Sequence, residues 1–250
     1  MELKKVDILG VKVNDLSLDQ ALELVENWLK GKSFDKLRTR HYIVTPNPEF
    51  VMAAQKDDTF RSVLNKSDLA IPDGFGFRLF GKVQNTIAGV DLMEKLCQLA
   101  AEKGYRVGFL GGRDKVAVKV SECLQKKYPG LKVSLADDGG EVDLKGNMLT
   151  DYRLPTTAED GRPKTVDLLF VAFGQVKQEK WISKNLPNIP VKVAMGVGGS
   201  FDELSGKAPR IPSWVHKIGL KWLVRLILEP WRIKRQLVLF RFAWLLLFES

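Results

Sequence analysis

Asp167-Leu168-Leu169-Phe170-Val171-Ala172-Phe173-Gly174 is the stretch on which the fold turns. After one carboxylate it is apolar without a break and then stops at a glycine. A strand with one wet face would alternate polar and apolar residues, whereas a strand covered on both faces reads as this run does. Working outward, residues 191–195 make a second such run before Gly196, and 106–110 a third before Gly111-Gly112. Further runs at 6–13, 42–44 and 69–71 also end in Gly, Pro or Asn. Helix-period segments lie between them at 18–29, 48–64, 91–103 and 115–128. Strands alternating with helices predict an α/β fold: a Rossmann-like, mostly parallel sheet flanked by helices. Ligands bind such sheets beyond the carboxyl ends of the strands, where these glycine turns fall. Residues 137–165, rich in Asp, Gly, Thr and Pro, read as a long surface excursion with a hairpin.

The 250 residues suffice for one large domain or a domain with an appendage. Charge separates the two. From Ser205 onward nine basic residues face two acidic ones, so +7 of the total +9 sits in the tail. A near-neutral body, 1–204, is expected to carry a basic helical appendage, 205–250, and that asymmetry points to an anionic partner. The apolar segment 237–248 contains Arg241 and is far shorter than the roughly 20 residues needed to cross a bilayer. Its mix of Trp, Phe and neighbouring basic residues suits lying in a membrane interface. The alternative is a helix packed on the sheet or on another subunit. Residues 1–10 lack the long apolar run of a secretory signal. Cys97 and Cys123 form no metal-ligand pattern and are expected to be buried free thiols.

Two turns place polar side chains at strand ends. Thr45-Pro46-Asn47-Pro48 opens a helix, and Pro72-Asp73-Gly74 follows the run at 69–71. A carboxylate there can serve as general base if it reaches an attacking hydroxyl. The plainer alternative makes Asp73 a turn residue before glycine and Asn47 a helix cap. Gly111-Gly112, Gly174 and Gly196-Val197-Gly198-Gly199 offer main-chain N–H groups to a diphosphate near helix starts. Phe201 stands where the third glycine of a dinucleotide fingerprint belongs, so no nicotinamide cofactor is expected. His41 and His216 are isolated and no D-x-D triplet ends a strand, so no metal is expected either. A diphosphate's charge would then be met by amides and arginines. Arg225, Arg232 and Arg235 are candidates, with a solvated basic face as the alternative.

Taken in order along the chain, these motifs resemble the WecG/TagA/CpsF glycosyltransferases of bacterial surface polysaccharide and teichoic acid synthesis. The resemblance rests on Thr45-Pro46-Asn47, Pro72-Asp73-Gly74 with Gly76, Ala88-Gly89-Val90-Asp91-Leu92 and Phe109-Leu110-Gly111-Gly112. It continues through Phe173-Gly174-Gln175-Val176-Lys177-Gln178-Glu179-Lys180-Trp181 and Gly196-Val197-Gly198-Gly199-Ser200-Phe201-Asp202. It ends with Trp222-Leu223-Val224-Arg225 and Glu229-Pro230-Trp231-Arg232. It implies an inverting, metal-independent transfer of an N-acetylhexosamine, N-acetylmannosamine-like, from a UDP-sugar to polyprenyl-diphosphate-linked N-acetylglucosamine. Asp73 matches the family's proposed general base, and Thr45 and Asn47 match its pocket residues. Gly111, Gly112, Gly174, Gln178, Gly198, Gly199 and Asp91 match positions around the UDP-sugar. The appendage is implied to close over the site with Arg225, Arg232 and Arg235, and to sit on the cytoplasmic face of the membrane. Homo-oligomers are implied to give way to that closed form. One departure is Thr86, where the family has an arginine; Arg78 is the nearby candidate to replace it.

Two rival readings follow from the residues alone. One is an oxidoreductase with a nucleotide cofactor on a similar sheet. The other is a membrane-surface scaffold without catalysis. Nucleic-acid binding is disfavoured, because the basic tail is interleaved with too much aliphatic bulk.

Overall fold

The computed structural model describes residues 4–32, 39–74, 76–79, 82–155, 165–211, 215, 221–228 and 233–248. The run at 6–13, expected as one strand, folds instead as a hairpin. Strands β1 (Lys5–Ile8) and β2 (Val11–Asn14) pair antiparallel in a small sheet of their own. Leu9 and Gly10, at φ 51° and 79°, make the two-residue turn, whose twist matches that of the strands it joins. Ser17 then caps α1 (Leu18–Leu29), with Gln20 completing a capping box.

The main sheet has six parallel strands: β3 (His41–Val44), β4 (Leu69–Ala70), β5 (Arg106–Gly111), β6 (Lys132–Asp137), β7 (Val166–Ala172) and β8 (Val191–Gly196). Their order is β4-β3-β8-β7-β5-β6, so the mostly parallel sheet read from the sequence is what forms. Helices α2 (Pro48–Ala54), α3 (Asp58–Asn65), α4 (Gly76–Leu79), α5 (Gly89–Lys103), α6 (Val116–Lys127), α7 (Lys177–Asn185) and α8 (Ser200–Leu204) connect and cover it. The segment 48–64 splits in two because Asp57 starts a new helix, its carboxylate accepting from the Phe60 N–H at 2.9 Å.

Period-2 alternation explains why the core runs read as unbroken. Along β7, Leu168 and Phe170 enter the cluster built with α1, α5 and α6, while Leu169 and Val171 enter the one built with α2, α3 and α7. Strand β6 escaped notice in the sequence because it lies at the sheet edge and is only partly buried. Within the 137–165 excursion, Val142 bridges Met148 antiparallel around the turn at Asp143. Cys97 is buried as expected, whereas Cys123 is exposed. His41 is structural: its ring stacks on Trp28 at 4.3 Å and lies 3.3 Å from the Asp68 carboxylate. His216 is outside the described residues.

Beyond α8, Arg210 fastens the chain to α5 through Glu94, which also receives Lys127 and the Tyr128 hydroxyl. Burial pushes the Glu94 carboxyl up, but Arg210 and Lys127 pull it below its ordinary range. Helices α9 (Lys221–Leu228) and α10 (Ile233–Phe248) complete the described chain. Helix α10 packs against α2 and buries Phe242, Leu245 and Leu246. Phe242 meets Phe77 edge-on at 5.6 Å. Phe240, Trp244, Leu247 and Phe248, on the other side of the same helix, stay exposed. The tail helix thus packs on the body while keeping a second apolar face outward. Among the described residues, no helix is long and apolar enough to cross a membrane.

Candidate functional site

Because all six strands run the same way, the turns after β3, β4, β5, β7 and β8 meet at one edge of the sheet. A cavity of about 620 Å³ opens there. Thr45, Asn47, Asp73 and Gly89 line one part of it, and Gly112, Gly174, Gln178, Gly198 and Gly199 line another. The sequence candidates from the front and the middle of the chain therefore share one space.

Asp73 is held by the turn around it. Its N–H donates to the Pro46 carbonyl at 2.7 Å, and its Oδ2 accepts from the Gly89 N–H at 3.0 Å. A Cβ on Gly89 would stand 3.1 Å from Thr45 Oγ1 and 3.5 Å from Asp73 Oδ2. Both side chains thus crowd onto one backbone point at the start of α5. Asn47 does cap α2, accepting from the Phe50 N–H at 3.0 Å, and it lines the cavity as well. The cap and the site role coexist in that residue.

The glycine turns are less open than the sequence suggests. The Gly112 N–H donates to the Ala172 carbonyl at 2.9 Å, and the Gly198 N–H to Gln178 Oε1 at 3.1 Å. Those two amides are engaged within the chain, so they line the cavity without both being free to grip an anion. Gly111 lies in β5 behind the lining. A Cβ there would come within 2.8 Å of the Ala172 backbone, so the two strand ends close on each other only because Gly111 has no side chain.

Asp91, on the first turn of α5, is outside the lining and 3.9 Å from Arg210. Arg78 is exposed on α4 and is likewise outside the lining. Arg232 lies outside the described residues, and of Arg225 and Arg235 only the backbone is described, in α9 and α10. The expected closure of these arginines over the cavity falls outside the described side chains.

The lining residues missed from the sequence include four charged ones, Arg113, Lys207, Asp202 and Glu203. Arg113 follows Gly111-Gly112 directly, a position that should have drawn attention to it. Lys207, 2.7 Å from Asp114, brings a second cation to the rim. Asp202 adds a carboxylate from α8. Beneath the lining, Glu179 is wholly buried, and burial raises its carboxyl to about 7 against the hydrogen bonds from Gln178 and Val176. Among the described residues, no three His, Cys, Asp or Glu side chains are grouped to hold a metal ion.

Comparison with known proteins places the sequence among glycosyl transferases. The model of the family described as "Glycosyl transferase WecG/TagA/CpsF family" matches residues 6–250. The chain is 34% identical over 231 residues to the N-acetylglucosaminyldiphosphoundecaprenol N-acetyl-beta-D-mannosaminyltransferase of Bacillus subtilis (strain 168), covering 87% of this chain and 86% of that one. An enzyme of the same description from Bacillus spizizenii is 35% identical over 201 residues, covering 78% and 74%. The one from Staphylococcus aureus (strain MRSA252) is 30% identical over 236 residues, covering 92% and 87%.

Proposed function

The chain belongs to the WecG/TagA/CpsF glycosyl transferase family, and from that premise we propose that it moves N-acetylmannosamine, or a close N-acetylhexosamine, from a UDP-sugar to polyprenyl-diphosphate-linked N-acetylglucosamine. The observation that carries this reading is that one cavity is lined by Asp73, Thr45 and Asn47 together with Gly174, Gln178 and Gly199. The names of the relatives supply the sugar and the lipid-linked acceptor.

The reaction is a single displacement without a metal. The acceptor hydroxyl attacks the anomeric carbon, and Asp73 takes its proton. The bond from that carbon to the diphosphate oxygen breaks on the opposite face, and UDP leaves with the electron pair. Gly89 fixes Oδ2 of Asp73, which turns the carboxylate toward the cavity and sets its angle. Negative charge grows on the leaving diphosphate, and cations already in place stabilise it best. Arg113 and Lys207 stand at the rim for that purpose, and Arg225, Arg232 and Arg235 join them from the appendage when it closes. Residues 1–204 carry the chemistry in this reading. Residues 205–250 hold the enzyme, alone or as a homo-oligomer, against the cytoplasmic face of the membrane where the lipid-linked acceptor resides. The basic charge of the tail and the exposed face of α10 support that placement.

A UDP-release assay over a panel of UDP-sugars, with a short-chain prenyl-diphosphate N-acetylglucosamine acceptor, tests the proposal. Acceptor-dependent release from UDP-N-acetylmannosamine well above that from UDP-glucose is expected. Release that ignores the acceptor, or favours no N-acetylhexosamine, would refute it.

A further inference from the structure

Beneath the cavity floor, Glu179 joins two of the loops that line it. Its Oε1 accepts from Gln178 Nε2 at 2.6 Å, and its Oε2 accepts from the Val176 N–H at 2.8 Å. Gln178 in turn accepts, through Oε1, from the Gly198 N–H at 3.1 Å. The turn after β7 is therefore tied through one carboxylate and one amide to the glycine loop after β8. The packing is tight enough to demand a glycine opposite: a Cβ on Gly196 would lie 2.6 Å from Glu179 Oε1 and 2.9 Å from Gln178 Nε2. Val176 is held at φ +72°, a strained conformation for a β-branched residue.

We propose that Glu179 is a positioning residue for donor binding: as a carboxylate it orients the Gln178 amide, and through it holds the Gly198 loop in its binding geometry. A side-chain amide can present either end, and its partners decide which. An ionised carboxylate only accepts, so it draws the Gln178 NH2 toward itself and leaves Oε1 for Gly198. Protonation turns one carboxyl oxygen into a donor. Two N–H groups then compete for one good acceptor, and the relay loosens. Glu179 does not touch substrate in this scheme; it acts through Gln178.

Among the described residues, the charged groups on the elements packed against α7 are engaged elsewhere or partly exposed. On α7, Lys180 turns to Asp57 at 2.5 Å, Lys184 reaches Asn147 and Lys177 is partly exposed. On α3, Asp58 and Arg61 pair with each other. Asp167 of β7 and Lys192 of β8 pair at 2.9 Å near the starts of their strands, and His41 begins β3 beside Asp68. Burial raises the carboxyl to about 7 against the hydrogen bonds it accepts from Gln178 and Val176, which puts its ionisation within reach of a pH series.

The inference rests on the UDP-sugar reading, and its test separates the two. In ligand-free, 15N-glycine-labelled protein, the Gly198 amide resonance should titrate between pH 6 and 8.5 with a midpoint near 7. Glu179→Gln, which offers one acceptor at every pH, should abolish that titration. Calorimetry with UDP-N-acetylmannosamine, whose esterified diphosphate does not titrate there, should show affinity weakening about tenfold at pH 6 relative to pH 8.5. The variant should bind weakly at both. A Gly198 resonance that stays flat in the wild type overturns the proposal even if the variant fails to fold. So does a folded Glu179→Gln protein with undiminished affinity. A titrating Gly198 without any UDP-sugar binding supports the positioning role and removes the donor reading instead.

Discussion

Asp73 is half-buried and takes the Gly89 N–H on Oδ2, while Glu179 is sealed under the cavity and takes two N–H groups. The surroundings give the two carboxylates different work. Asp73→Asn can keep the Gly89 bond through its amide oxygen but cannot take a proton. Transfer should fall by roughly 10²- to 10⁴-fold, with UDP affinity by calorimetry and the melting temperature near wild type. Near-normal turnover would remove Asp73 from the base role. Glu179 makes its prediction in stability. Its carboxyl is raised from 4.5 to about 7 in the folded chain, which keeps a proton that the unfolded chain has released between those values. Stability on this account is present below about pH 4.5 and declines as pH rises toward 7, by roughly 3 kcal/mol. Urea unfolding at pH 5 and 7.5 should show this decline in the wild type and much less of it in Glu179→Gln. An equal slope in both would assign the decline to other groups.

Among the elements, α10 is the one whose place the sequence left open between membrane and body. Its spacing gives it two faces: 242, 245 and 246 are buried against the body, and 240, 244, 247 and 248 are exposed. Phe242→Ala should cost about 3 kcal/mol or more in urea unfolding, because the ring against Phe77 is fully buried. A loss below about 1 kcal/mol would mean that the helix is not docked in solution. The sheet was legible because β5, β7 and β8 are covered on both faces and read as unbroken apolar runs. Edge strand β6 was not, since partial burial leaves no such run, and the β1–β2 turn hid inside a run of valines and isoleucine. At the site, Thr45, Asn47 and Asp73 could be found from their places at strand ends. What lay hidden was which amides are already taken. Nothing in a row of glycines says that Gly112 bonds Ala172 or that Gly198 bonds Gln178, because those partners come from other strands.

At the scale of the whole molecule, the parallel sheet sets every strand end at one edge, and the basic tail packs beside that edge through Phe77 and Gly76. The reaction proposed here requires a water-soluble sugar nucleotide and a lipid-borne acceptor to meet in one cavity. An outward apolar face on α10 beside a net-positive segment suits an anionic bilayer. Replacing Phe240, Trp244 and Leu247 together by Ser should weaken binding to anionic vesicles at least a hundredfold in sedimentation, with little change in melting temperature. Wild-type binding should also weaken as salt is raised. Unchanged vesicle binding by the triple variant would move the membrane contact elsewhere. The most direct measurement is the anomeric configuration, by NMR, of the disaccharide formed from UDP-N-acetylmannosamine and prenyl-diphosphate N-acetylglucosamine. A single displacement with Asp73 as base gives a linkage opposite in configuration to that of the donor. A product that keeps the donor's configuration, or no disaccharide at all, would contradict it.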